Sequence, residues 1–261
     1  MVRLTMQKNY AGYLIDLDGT MYNGNAKIDE AADFINRLRE ADKSFLFLTN
    51  NSTAHPEDVA MKLEKVSGVQ AYPEEVYTST LATIAYLKKN NLKRVFVIGE
   101  GGLIDALKAD AFDLAEENVD AVIVGLDRQV TYKDLETATL LIHAGAKFIA
   151  TNPDTNLPTE RGLVPGNGAL ISFLETATRQ KALVVGKPEH IIMDAALEEI
   201  GLSKEEVIMV GDNYTTDIQA GIQNDIDTLL VLTGFTTKDD LSTLPTPATH
   251  VVDTLADWEI L

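Results

Sequence analysis

The chain contains no cysteine, which excludes disulfides and thiolate chemistry. No apolar run approaches the ~18 residues a membrane span requires. The Met1–Asn9 stretch has no apolar centre of the kind a signal peptide carries, so the cytoplasm is the expected compartment. Low-complexity linkers, coiled-coil heptads and internal repeats are also missing. Basic residues are scarce, 22 Lys and Arg against 40 Asp and Glu, a formal charge of −18. Such a field repels nucleic-acid backbone and anionic lipid, so neither is an expected partner. It repels a phosphorylated substrate as well. An anion site in this chain therefore needs a local cation, either a metal or a lysine.

What is there suits one large domain, or a core with a smaller second unit: 261 residues, 45% of them hydrophobic. Short apolar runs read as buried strands at Tyr13–Leu17, Phe45–Leu48, Val95–Ile98, Ala121–Val124, Phe148–Ala150, Leu183–Val185, Val207–Val210 and Thr228–Leu232. Helical patterns lie between them, with Ala31, Phe34, Ile35 and Leu38 on one face and Leu135, Ala138, Thr139 and Ile142 on another. Pro188 can begin a helix as its first residue and Gly201 can close it. The Thr237–Thr249 stretch reads as a surface loop before a late strand at His250–Val252. Strand–helix alternation of this kind predicts an α/β fold with a mostly parallel, Rossmann-like sheet covered on both faces. Residues with chemistry cluster in 16–52 and 187–217. A core of residues 1–78 and 183–261 with an inserted cap of residues 79–182 is the expected division.

The most informative stretch is Asp16-Leu17-Asp18-Gly19-Thr20. Two acids leave the end of a buried strand, where open α/β sheets bind ligands. Strand alternation puts Asp16 and Asp18 on one face with Leu17 pointing away, Gly19 lets the chain turn, and Thr20 can tie the turn to the backbone. Acids that close imply a cation or a shared proton between them. Three more strand ends carry polar groups. Thr49-Asn50-Asn51-Ser52 offers a hydroxyl, amides and backbone N–H groups suited to phosphate oxygens, although an ordinary polar turn has the same composition. Gly186-Lys187-Pro188 holds a lysine between two backbone-restricting residues. Gly211-Asp212-Asn213-Tyr214-Thr215-Thr216-Asp217 puts Asp212 at the strand end, and helix capping accounts for Thr216 and Asp217 but not for Asp212.

Together and in this order the four resemble the motifs of the haloacid dehalogenase superfamily of phosphohydrolases. The insertion between the second and third resembles the NagD-like subgroup with its α/β cap. Ala150-Thr151-Asn152-Pro153-Asp154 and Gly162-Leu163-Val164-Pro165-Gly166-Asn167-Gly168 extend the match into the cap. Asn213 and Tyr214 depart from it, standing where many relatives have Arg and Leu.

The resemblance implies a phosphatase of small phosphorylated metabolites working through an aspartyl-phosphate. Asp16 would be the nucleophile and Asp18 the general acid and base. Thr49, Asn50 and Lys187 would hold phosphate oxygens. Mg²⁺ would sit on Asp16, the Asp18 carbonyl and Asp212, with Asp217 in support. Asn152 and Asp154 are the expected cap contacts to substrate, and a homodimer is the expected assembly. A phosphotransferase, or a non-catalytic phosphometabolite-binding protein, is the alternative. Other readings fit worse. An EF-hand starting at Asp16 would need glycine where Met21 stands. A carbon–halogen hydrolase would have no use for Asp18. Gly99-Glu100-Gly101-Gly102 is not a dinucleotide fingerprint, since Ile104 fills its last position; a tight turn accounts for it.

Overall fold

The computed structural model describes residues 8–159 and 161–261. Most of the Met1–Asn9 stretch read above for a leader, Met1–Gln7, lies outside the described residues. The chain divides into two compact units. The first comprises the residues up to Phe47, Lys62–Ala71 and Leu197–Leu261, and the second Leu48–Met61 and Tyr72–Ala196.

In the first unit, parallel strands run side by side in the order His250–Val252, Asp227–Val231, Val207–Gly211, Gly12–Ile15 and Ser44–Thr49, the last entering through its first residues. Gly12 pairs with both Val207 and Ser44, and Ile15 with both Val210 and Phe47. Gly12–Ile15 and Val207–Gly211 are buried along their whole length. Parallel strands covered on both faces read as continuous apolar runs for that reason. Ala31–Glu40 is helical and buries the expected Ala31, Phe34, Ile35 and Leu38. Phe34 meets Tyr13 edge-on at 6.0 Å between ring centroids. Burying side chains of this size contributes roughly 1.5–3 kcal/mol each.

The second unit has its own parallel sheet, in the order Leu183–Val184, Lys147–Ala150, Ala121–Val124, Arg94–Ile98 and Asp113–Leu114. The strands of this sheet, from Arg94 to Val184, fall between Ser44–Thr49 and Val207–Gly211 of the first sheet in the chain, the arrangement of an inserted cap domain. Helices Tyr132–His143 and Asn167–Thr178 bring Ala138, Ile142, Ile171 and Leu174 against Phe96, Val122 and Phe148. Of the face predicted on the first of these helices, Leu135 packs only partly. Thr139 turns its hydroxyl back to the Leu135 carbonyl (2.8 Å), and Leu141 is buried in addition. No helix among the described residues is long and apolar enough to cross a membrane.

Two local expectations are corrected. The first strand stops at Ile15 rather than Leu17, because the Leu17 carbonyl accepts from the N–H groups of Thr20, Met21 and Tyr22 and turns the chain. The helix after Lys187 begins at His190, not Pro188: the Glu189 N–H donates to the Gly186 carbonyl (3.0 Å), closing a turn across Lys187–Pro188. Gly201 does end that helix, with φ +71. Gly99 and Glu100 make the tight passage from strand Arg94–Ile98 into helix Gly101–Ala109.

Candidate active site

The ends of two adjacent strands in the first unit bring three acids together. Ligand oxygens of Asp16, Asp212 and Asp217 all lie within 4.8 Å of one another. Asp16 continues the pairing of its strand by donating its N–H to the Val210 carbonyl (2.8 Å). Asp212 and Asp217 are buried. Three like charges this close repel by several kcal/mol at an effective dielectric of about 20, which a cation relieves. The donor set is all carboxylate, and backbone glycines close around Asp212: a Cβ on Gly19 or Gly234 would lie 2.2 or 2.1 Å from its Oδ2. These residues fit a hard divalent ion.

Asp217 reaches the cluster because residues Tyr214–Ile218 form a π-helical turn. The expectation that Thr216 and Asp217 cap the following helix is corrected here. Asn213 is the cap, its Oδ1 accepting from the Thr215 N–H (3.0 Å) and hydroxyl (2.8 Å). Asp217 instead turns inward and accepts from the Asn213 N–H (3.1 Å) and the Thr216 hydroxyl (3.2 Å). Tyr214 is buried with Ile218 and Leu230, and its hydroxyl donates to the Thr246 carbonyl (2.9 Å). The two departures from the family pattern thus have structural uses.

Asp18 stands apart from the carboxylate cluster. Its side chain is exposed and accepts from the Gly24 N–H (3.0 Å), across a small hairpin of Tyr22–Asn23 and Ala26–Lys27. Thr20 does not tie the turn to its own backbone through its hydroxyl, which lies 3.4 Å from Asp212 Oδ1 as a donor. Tyr22 is buried beside these acids. Burial first, then the negative charges of Asp18 and Asp16, push its hydroxyl well above the ordinary tyrosine range. Lys62 Nζ lies 3.9 Å from the centroid of the Tyr22 ring.

The second unit gathers the other predicted residues into one buried polar network. Asn50 and Lys187 are joined twice: the Lys187 N–H donates to Asn50 Oδ1 (2.7 Å), and Asn50 Nδ2 donates to the Lys187 carbonyl (3.0 Å). Lys187 is only 1% exposed, and its Nζ donates to the Leu48 carbonyl (2.9 Å). Asn50 Nδ2 also donates to Asp154 Oδ1 (3.0 Å), and the Asn50 carbonyl accepts from Asn152 Nδ2 (2.8 Å) and the Ser79 hydroxyl (2.7 Å). Thr49 is buried, with its Oγ1 accepting from the Asn51 N–H (3.1 Å).

Two contributors have weak sequence signals. Ser79 opens a helix and gives no sign of reaching back to residue 50. The Thr233–Thr236 loop carries hydroxyls after a buried strand, the same signal that marked Thr49. It binds both acid-bearing turns: the Thr233 hydroxyl donates to the Gly19 carbonyl (2.6 Å), and the Phe235 N–H to Asp212 Oδ2 (2.5 Å). The Thr236 N–H donates to the Asp212 carbonyl (3.1 Å), while Thr236 Oγ1 accepts from the Tyr214 N–H (2.9 Å).

Residues 13–113 match the haloacid dehalogenase-like hydrolase family, and residues 184–258 match the HAD-hydrolase-like family. The 5′-nucleotidase YutF of Bacillus subtilis is 46% identical over 254 residues, covering 96% of this chain and 98% of its own. An acid sugar phosphatase of Staphylococcus saprophyticus is 49% identical over 245 residues, covering 93% of this chain and 94% of its own. The solved structure of NagD from E. coli K-12 superposes with a TM-score of 0.92 at 33% identity, covering 97% of this chain and all of that one (100%).

Proposed function

The chain belongs to the haloacid dehalogenase-like hydrolases, in their NagD-like subgroup, and is a phosphatase of small phosphorylated substrates; from that premise we propose how its residues divide the work. Asp16 attacks phosphorus, and the bond to the leaving oxygen breaks as Asp18 gives that oxygen a proton. Water then attacks the phosphorus of the aspartyl-phosphate while Asp18 takes its proton, the bond to the Asp16 oxygen breaks, and inorganic phosphate leaves with the Asp16 carboxylate restored. Thr49, Asn50 and Lys187 take the equatorial phosphate oxygens, where transition-state charge is spread. Asp16, the Asp18 carbonyl and Asp212 hold Mg²⁺, with Asp217 beside them. When bound, the ion neutralises phosphate charge that the −18 chain would otherwise repel. Asn152 and Asp154 contact the leaving group from the cap, in a core-and-cap division at residues 79 and 182.

The observation that supports this reading is the separation of the acids: the carboxylates of Asp16, Asp212 and Asp217 lie close enough to gather round one cation, while the Asp18 side chain stays outside their cluster, available to carry a proton. The relatives act on different substrates by name, a 5′-nucleotidase and a sugar phosphatase. We therefore propose a small nucleoside monophosphate or sugar phosphate as the substrate class, for a cytoplasmic homodimer with no nucleic-acid or membrane partner.

The test is phosphate release from a panel of nucleoside monophosphates and sugar phosphates, with Mg²⁺ and with chelator, beside Asp16→Asn. Metal-dependent release that falls on the order of 10³-fold or more in the variant is the expected result. Near-normal turnover by folded Asp16→Asn would sink the covalent route. An added alcohol that captures phosphate at the expense of water would move the reading to phosphoryl transfer.

A further inference from the structure

The Thr233–Thr236 loop does more than brace a strand end. Oδ2 of Asp212 is enclosed by backbone on three sides. The Phe235 N–H donates to it at 2.5 Å, a short contact to a charged acceptor. Gly19, at φ +93, and Gly234 press on it so closely that a Cβ on either would stand 2.2 or 2.1 Å away. The two glycines also touch each other's space, since a Cβ on Gly234 would lie 2.7 Å from Gly19 Cα. The loop is pinned in that position by the Thr233 hydroxyl on the Gly19 carbonyl and by Thr236 on Asp212 and Tyr214. Oδ1 is less enclosed: Gly19 approaches it too, a Cβ there lying 2.6 Å away, but its hydrogen bond is the longer one from the Thr20 hydroxyl at 3.4 Å, and the Phe235 N–H bonds Oδ2 instead.

A cation that takes both oxygens of Asp212 would have to displace the Phe235 N–H and push two backbone segments apart. Ca²⁺ commonly binds carboxylates through both oxygens, at about 2.3–2.6 Å and with six to eight ligands. Mg²⁺ takes single oxygens at about 2.0–2.1 Å in a strict octahedron. We propose that Gly19, Gly234 and the Phe235 N–H form a backbone clamp that holds Asp212 as a one-oxygen ligand and so favours Mg²⁺ over Ca²⁺. Phe235 and Thr233 are positioning residues in this scheme, acting through Asp212. The proposal rests on the metal-dependent reading above.

The experiment is calorimetric titration of the full chain with Mg²⁺ alone and Ca²⁺ alone, with folding checked by circular dichroism. Phe235→Pro removes the N–H, whereas Phe235→Ala keeps it. The ratio of Ca²⁺ to Mg²⁺ affinity is expected to rise about tenfold in Phe235→Pro, the scale of one lost hydrogen bond to a charged group. In Phe235→Ala it should stay within about twofold of the parent. Should Phe235→Pro fail to fold, Thr233→Val and Thr233→Ser replace it. Valine drops the bond to Gly19 and is expected to raise the ratio, and serine to restore it. An unchanged ratio in folded Phe235→Pro or folded Thr233→Val overturns the clamp. Asp212→Asn separates the two levels of the argument. Mg²⁺ binding that survives this substitution at full strength overturns the metal reading and the clamp together, while binding that depends on Asp212 with an unmoved ratio overturns the clamp alone.

Discussion

Asn50 holds Lys187 by the lysine's own main chain, one bond in each direction, and a third bond runs to Asp154. Such a side chain fixes where an ammonium can be presented without touching the ammonium itself. Asn50→Ala removes all three bonds and leaves the buried Lys187 N–H without this acceptor, at a cost of about 2–3 kcal/mol. Urea unfolding of the variant beside the parent measures it, and phosphatase activity is expected to fall with it. Gly19 carries a different constraint. Its φ of +93 is disfavoured for any residue with a side chain, and a Cβ there meets Asp212. Gly19→Ala is therefore expected to lose roughly 1–3 kcal/mol of stability and to weaken Mg²⁺ binding. Unfolding and calorimetry on the same sample check both effects.

At the level of elements, the strands were legible because parallel strands buried on both faces leave uninterrupted apolar runs. Ala121–Val124 and the strand predicted at Val207–Val210 fall where the pattern puts them. The hairpins Tyr22–Asn23 with Ala26–Lys27 and Asn156–Thr159 with Gly162–Pro165 left no such trace, being short and partly polar. Acids at strand ends were legible from the same runs. The inward turn of Asp217 was not, because it depends on a five-residue π turn whose register no composition records. The Asp212 clamp was hidden for a further reason: backbone N–H groups and glycine Cα atoms make most of it, and neither has a side-chain signature. The π turn itself is open to test. Asn213 caps it through the Thr215 N–H and hydroxyl, so Asn213→Ala should cost about 1 kcal/mol, seen as a lower denaturant midpoint with an unchanged slope.

On the scale of the whole molecule, the acidic chain is fastened by a few polar stitches between distant segments. One joins strand starts and the late loop of the first unit. Tyr10 donates to Asp227 (3.1 Å) and lies 3.2 Å from His250 Nε2, whose ring packs on Trp258 at 5.0 Å between centroids. Burial lowers the His250 value below its ordinary range, opposed in part by the Asp227 charge. The folded state thus resists protonation more than the unfolded chain does. Stability is present above the unfolded value of about 6.5 and is lost as pH falls from there through the lower folded value. Unfolding midpoints at neutral and mildly acidic pH should show that decline, and His250→Gln should flatten it. A last consequence belongs to Lys187, whose side chain is buried while that of Lys181 is 88% exposed. An acylating reagent would tag Lys181 quickly and the buried Lys187 far more slowly. The ratio of the two labelling rates would serve as a built-in gauge of access to the Lys187 amine, and a bound phosphate would slow its needle.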